Sequence, residues 1–184
     1  AKLPDGWVLG QTAIVTDSQD RVYLFNRSDH PLIVLDQDGN YLDSWGEGVL
    51  TDAHGMFIDS DDNLYLPVKN NHVVLKYTRE GNLLMTLGVR DQPSDTGWSG
   101  NYNEPAVRAA GPFNRPSDVA VDNDGLIYVA DRQNDRVQIL APDGRFVSAL
   151  YGDHQMSQWG KEKLLSNPDM VKQRSIAVAN DGRA

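Results

Sequence analysis

The sequence predicts an all-β fold, a β-propeller built of four-stranded blades, and three observations predict it. An acidic turn leading into an alternating apolar strand recurs as "DSQDRVYL" (17–24), "DSDDNLYL" (59–66) and "DNDGLIYV" (122–129). A constant interval of 16 residues then separates Tyr23, Tyr65 and Tyr128 from Gly39, Gly81 and Gly144. Finally, each unit closes with a strand ending in Gly: "YLDSWG", "LLMTLG" and "FVSALYG". Short strands at repeated spacing mark a radial stack of blades. A sandwich has no reason to hold one interval fixed.

The strands follow in order from turn chemistry. Asp38-Gly39-Asn40, Glu80-Gly81-Asn82 and Asp143-Gly144-Arg145 each sit between alternating runs. They read as hairpin turns, because Gly reaches positive φ without steric cost. Blades are expected over about 11–48, 52–88 and 115–152. In the third, the strands fall near 118–122, 126–130, 136–141 and 146–151. Two segments break the period: 90–114, rich in Gly, Pro and Asn with Trp98 and Tyr102, and 153–173. Long insertions on a compact scaffold carry function often enough to count as candidate docking loops. At the end, "SIAVANDGRA" parallels "DVAVDNDGLI", so a further blade starts within 174–184. The expectation is a single partial propeller domain. A ring needs four to eight blades and soluble proteins avoid bare sheet edges. The remaining blades are therefore expected from a longer polypeptide or, alternatively, from a second chain that completes the propeller.

Composition narrows the function. The chain has 184 residues, 40% of them hydrophobic, and a formal net charge of −9. That is enough for one domain with its own core. Nucleic acid and anionic membrane surfaces are excluded as general partners, since no basic stripe exists to displace their counterions. No apolar run approaches the roughly 20 residues of a membrane helix. Without cysteine there is no disulfide and no thiolate metal site.

Register, rather than motif, supplies the candidate site. Five residues before each acidic turn lie Thr12, His54, Ser117 and Arg174. The first strand of a propeller blade lines the central channel, so these four are expected to ring one mouth. Four residues past each repeat Tyr lie Arg27, Lys69 and Arg132, all basic. Four cations, these three and Arg174, around one opening of an acidic protein point to a small anionic ligand. The alternative for Arg27, Lys69 and Arg132 is pairing with Asp29, Asp131 or Asp135. His72 and His30 read as structural, and Asp59-Ser60-Asp61-Asp62-Asn63 reads as a turn despite its calcium-loop spacing, because it lacks the loop glycine and repeats in each blade. No nucleophile–base–acid order or phosphate loop appears.

Units such as "FNRPSDVAVDNDGLIYVADRQNDRVQILAPDGRFVSALYG" resemble NHL repeats, which implies a six-bladed ring. More narrowly, "VYLFNRSDHPLIVLDQDGN" and "AHGMFIDSDDNLYL" are similar to the peptidyl-α-hydroxyglycine α-amidating lyases (peptidylamidoglycolate lyases). That resemblance implies cleavage of a C-terminal α-hydroxyglycine, a carbon–nitrogen lyase reaction, with a channel zinc held by histidines. It places His54 as a zinc ligand, Arg27 as the catalytic arginine on the reacting end of the substrate, and Ile14 and Met56 as backbone-carbonyl ligands of a structural calcium. The family's second zinc histidine falls on Arg174, and its catalytic tyrosine falls at Arg132-Gln133-Asn134. The expected function is therefore a related NHL propeller that binds an anionic or carboxylate ligand, such as a peptide C-terminus, through Arg27, Lys69, Arg132 and Arg174. The metal-dependent lyase is the alternative, and a protein-interaction scaffold using the two insertions is a further one.

Overall fold

A computed structural model describes residues 2–94 and 111–151. It contains three four-stranded antiparallel sheets, each with its strands in chain order. The first comprises β1 (Thr12–Thr16), β2 (Val22–Asn26), β3 (Leu32–Leu35) and β4 (Tyr41–Trp45). The second comprises β5 (Phe57–Ile58), β6 (Leu64–Val68), β7 (Val73–Tyr77) and β8 (Leu83–Gly88). The third comprises β9 (Asp118–Val121), β10 (Ile127–Asp131), β11 (Arg136–Leu140) and β12 (Phe146–Tyr151). This all-β arrangement is the blade pattern that the repeats predict. The unit expected at 174–184, including Arg174, and most of both insertions lie outside the described residues.

The sequence repeat has a physical cause at each turn. Asp17 Oδ1 accepts the backbone N–H of Gln19 and of Arg21, both at 2.9 Å. Asp59 accepts Asp61 and Asn63 in the same way, and Asp122 accepts Asp124 and Leu126. The repeat Tyr is the other half of this device. The Tyr23 hydroxyl donates to Asp17 at 3.2 Å and the Tyr128 hydroxyl to Asp122 at 2.9 Å. In the middle sheet Asp59 also takes Lys76 Nζ at 3.1 Å, and that ammonium lies 4.8 Å from the Tyr65 ring centroid. The acidic stretch 59–63 is thus a side-chain-capped turn, as read from the sequence. An irregularity of register falls at one equivalent place in every sheet, at Val34/Leu35, Lys76/Tyr77 and Ile139/Leu140.

The apolar core lies between sheets. Tyr23, Phe25, Leu32 and Val34 pack against Leu64, Leu66, Val73 and Leu75. Tyr65, Val74 and Leu87 pack against Val119, Ile127, Val129 and Leu140 in the next layer. The first strands approach one another, β1 to β5 and β5 to β9, as spokes converging on an axis require. On the leading face of the first sheet, Leu3 and Trp7 cover Leu24, Ile33 and Leu35. They stop short of Ile14, which is 63% exposed, whereas Met56 and Val119, at the same repeat position, are buried by the preceding sheet.

Candidate functional site

The second strands end where the site begins. Beyond β6 and β10 the chain makes a single 3-10 turn, Lys69–Asn71 and Arg132–Asn134. Each is closed by a left-handed residue, His72 (φ 60°) and Asp135 (φ 48°). Arg27 directly follows β2. The three cations of the repeat therefore leave the same end of three successive sheets.

His54 is carried to that end by the segment entering β5. Ala53 bridges Val68, which sets residues 52–54 beside the start of the Lys69 turn. The half-buried imidazole hydrogen-bonds to the backbone of Ser117, the residue at its own register position in the third sheet. The Ser117 carbonyl also accepts the Gly55 N–H at 2.8 Å. A Cβ at position 55 would lie 2.9 Å from that carbonyl oxygen and closer still to the Asp118 carboxylate. Glycine after His54 is thus a steric requirement of bringing the second and third sheets together. Burial, then the charges of Lys69, Arg27 and Arg132, hold the His54 pKa below the ordinary histidine value, against the opposing Ser117 hydrogen bond. All three sequence-predicted cations consequently act on one imidazole.

Asp52, absent from the sequence reading, organises two of these cations. Its Oδ1 lies 3.0 Å from Arg27 Nε and its Oδ2 lies 2.9 Å from Lys69 Nζ. Arg27 Nε also donates to the Ala53 carbonyl at 2.7 Å. The expected pairing of Arg27 and Lys69 with Asp29, Asp131 or Asp135 is therefore corrected for these two. Asp131 instead meets Arg136, its direct partner across the β10–β11 ladder, at 2.7 Å with both side chains fully enclosed. Asn134, Gln138 and the Asn114 N–H complete the coordination of that carboxylate. The same network grips both stems of the first insertion. Asn134 donates to Ser94, Gln138 donates to the Gly111 carbonyl, and Ser94 N–H donates to Phe113.

His72 and His30 are structural, as expected. His72 Nδ1 accepts the Arg115 N–H at 3.1 Å, and His30 stacks on Trp7 with ring centroids 3.4 Å apart. Thr12 opens β1 and turns its hydroxyl back to the Gly10 carbonyl at 2.9 Å.

The described residues assemble only part of the ligand sets that the resemblance implies for its metals. His54 is one imidazole among three cations, and it already engages Ser117. Catalytic zinc takes three protein ligands. Ile14 and Met56 occupy equivalent positions, yet two carbonyls fall well short of the six to eight oxygens calcium takes. Among the described residues, no group of three or more His, Asp or Glu is assembled that could hold a metal ion.

With this geometry in hand, comparison with known proteins gives the repeat a name. Residues 113–140 match the NHL repeat. They run from the stem of the first insertion through β11. Solved structures of similar fold include virginiamycin B lyase from Staphylococcus aureus, with 12% identity and TM-score 0.55 over 79% of this chain and 42% of that one. A protein of unknown function from Bacteroides caccae is similar at 13% identity and TM-score 0.54, over 98% of this chain and 53% of that one. The RRP9 WD40 repeats are similar at 17% identity and TM-score 0.57, over 82% of this chain and 41% of that one. Identities this low speak to the propeller fold alone. The chain spans roughly half or less of the length of each of these structures. No curated protein matches it.

Proposed function

We propose that this NHL-type propeller binds a small carboxylate ligand, such as a peptide C-terminus, at the mouth where Arg27, Lys69 and Arg132 surround His54. The observation that carries this reading is the convergence of three cations, one from each successive sheet, on a single imidazole whose pKa is lowered by burial and then by their charges. An acidic chain that concentrates positive charge at one opening draws anions to that opening. Arginine offers a planar fork matched to a carboxylate. The likeness of "AHGMFIDSDDNLYL" to the amidating lyases supports a peptide C-terminus as the source of that carboxylate. Arg174, outside the described residues, is proposed from its register alone as a fourth positive charge of this ring.

Calorimetric titration with N-acetylglycine tests the reading. Binding is expected to weaken steeply as salt rises, because the attraction is partly solvent-screened. Arg132→Met is expected to weaken it by roughly tenfold, the order expected for losing one charge-assisted contact. Absence of binding, or affinity indifferent to both salt and Arg132→Met, refutes it.

A further inference from the structure

We propose that Asp52 is a built-in occupant of the anion seat, so that an incoming carboxylate displaces the Asp52 carboxylate from Arg27 and Lys69 rather than adding beside it. This rests on the anion-binding reading above and identifies the residue that sets its affinity and charge preference.

Three features single out Asp52. Its two oxygens are divided between cations of different sheets, Oδ1 to Arg27 and Oδ2 to Lys69. An external carboxylate bridging those sheets would make the same two contacts. Its backbone is left-handed, with φ 51°. An L-residue other than Gly is seldom found there, and Asn and Asp tolerate it best. The same repeat position carries Gly10 and Arg115, so the fold does not demand a carboxylate at this place. The cluster is also unevenly enclosed: the Arg27 side chain is 30% exposed, whereas those of Asp52 and Lys69 are 14% and 10% exposed and Asp52 Oδ2 is itself buried, so exchange begins at the Arg27 arm. A contact open to water on one side can exchange partners, whereas a sealed one cannot without leaving buried charge behind.

The consequence is selectivity by charge. With Asp52 seated, its one negative charge offsets part of the positive charge of Arg27, Lys69 and Arg132. A monoanion has then to compete for the seat, and a dianion meets repulsion from Asp52 if it binds alongside. Removing the carboxylate raises affinity for both, and more for the dianion.

The test compares the unaltered chain with Asp52→Asn and Asp52→Gly, titrated with N-acetylglycine and with inorganic phosphate. Asn keeps the left-handed backbone and the side-chain volume. Gly keeps the backbone and empties the seat, so either variant alone can carry the comparison if the other unfolds. Both are expected to bind N-acetylglycine roughly tenfold more tightly than the unaltered chain, with a larger gain for phosphate. Binding that appears only in the variants contradicts the proposal, because the unaltered seat then admits no external carboxylate. Affinity unchanged or lower in the folded variants, with the unaltered chain still binding, overturns the role of Asp52 and leaves the anion site standing. Binding by none of the three proteins overturns the anion site and this proposal together.

Discussion

Two carboxylates lie at the same end of the blades, and their surroundings differ in one decisive respect. Asp131 is wholly enclosed and accepts from Arg136, Asn134, Gln138 and the Asn114 N–H. Asp52 is 14% exposed and its carboxylate bridges Arg27 and Lys69, at 3.0 and 2.9 Å. A buried ion pair with its hydrogen bonds complete is a structural joint, since removing one partner strands the other charge in a low-dielectric interior. The Arg27 arm of Asp52, 30% exposed, costs less to break, because water can take over what the partner releases there. One carboxylate therefore ties the third sheet to the stems of the insertion, while the other is the one we propose as the occupant of an anion seat.

Substitutions that separate these two roles follow in descending order of effect. Asp131→Ala leaves the Arg136 guanidinium buried without its counter-charge, and urea denaturation is expected to show a loss of about 3–5 kcal/mol. A loss under about 1 kcal/mol would remove the distinction between joint and seat. Gly55→Ala forces a methyl against the Ser117 carbonyl and the Asp118 carboxylate. A loss of about 1–3 kcal/mol is expected in the same experiment, with His54 shifted from Ser117. Asp52→Asn is expected to cost about 1–2 kcal/mol, less than Asp131→Ala because the Arg27 arm is part-exposed and the amide still accepts one contact, while altering anion affinity as described above. A large destabilisation by Asp52→Asn would make it a joint like Asp131.

The pH dependence of the site has a definite sign. Because folding lowers the His54 pKa below its ordinary value of roughly 6.5, the unfolded chain binds the proton more readily than the folded one. The stability linked to this group is therefore full above that ordinary value. It declines as pH falls from there through the lowered folded value. Lys69→Met removes one of the charges responsible and is expected to move the His54 titration, followed by its imidazole NMR signals, to higher pH.

The blades were legible because their signals are local. Each acidic turn is an Asp accepting backbone N–H groups two and four residues on, with a Tyr hydroxyl six residues on in two of the sheets. Such contacts leave a fixed spacing in the sequence. His54, Arg27, Lys69 and Arg132 were found by the same counting, since register carries each side chain to an equivalent place. Asp52 left no such trace. Its position is defined by a left-handed kink shared with Arg115 but filled by different residue types from unit to unit. The Asp131–Arg136 joint was recoverable in principle from the facing register of a tight hairpin. Its neighbour Arg132 drew the assignment instead, because sequence proximity to a cation says nothing about which side of the strand a carboxylate faces.

The most direct test is the response of His54 to an anion. Its imidazole signals, followed against pH with and without saturating N-acetylglycine, report the net charge at the mouth. A carboxylate held among Arg27, Lys69 and Arg132 adds its charge to that of the displaced Asp52, which stays tethered two residues from His54, so the His54 midpoint is expected to rise when the ligand is present. A midpoint that stays where it was, at ligand concentrations that saturate binding measured by calorimetry, would place the anion elsewhere and contradict the account.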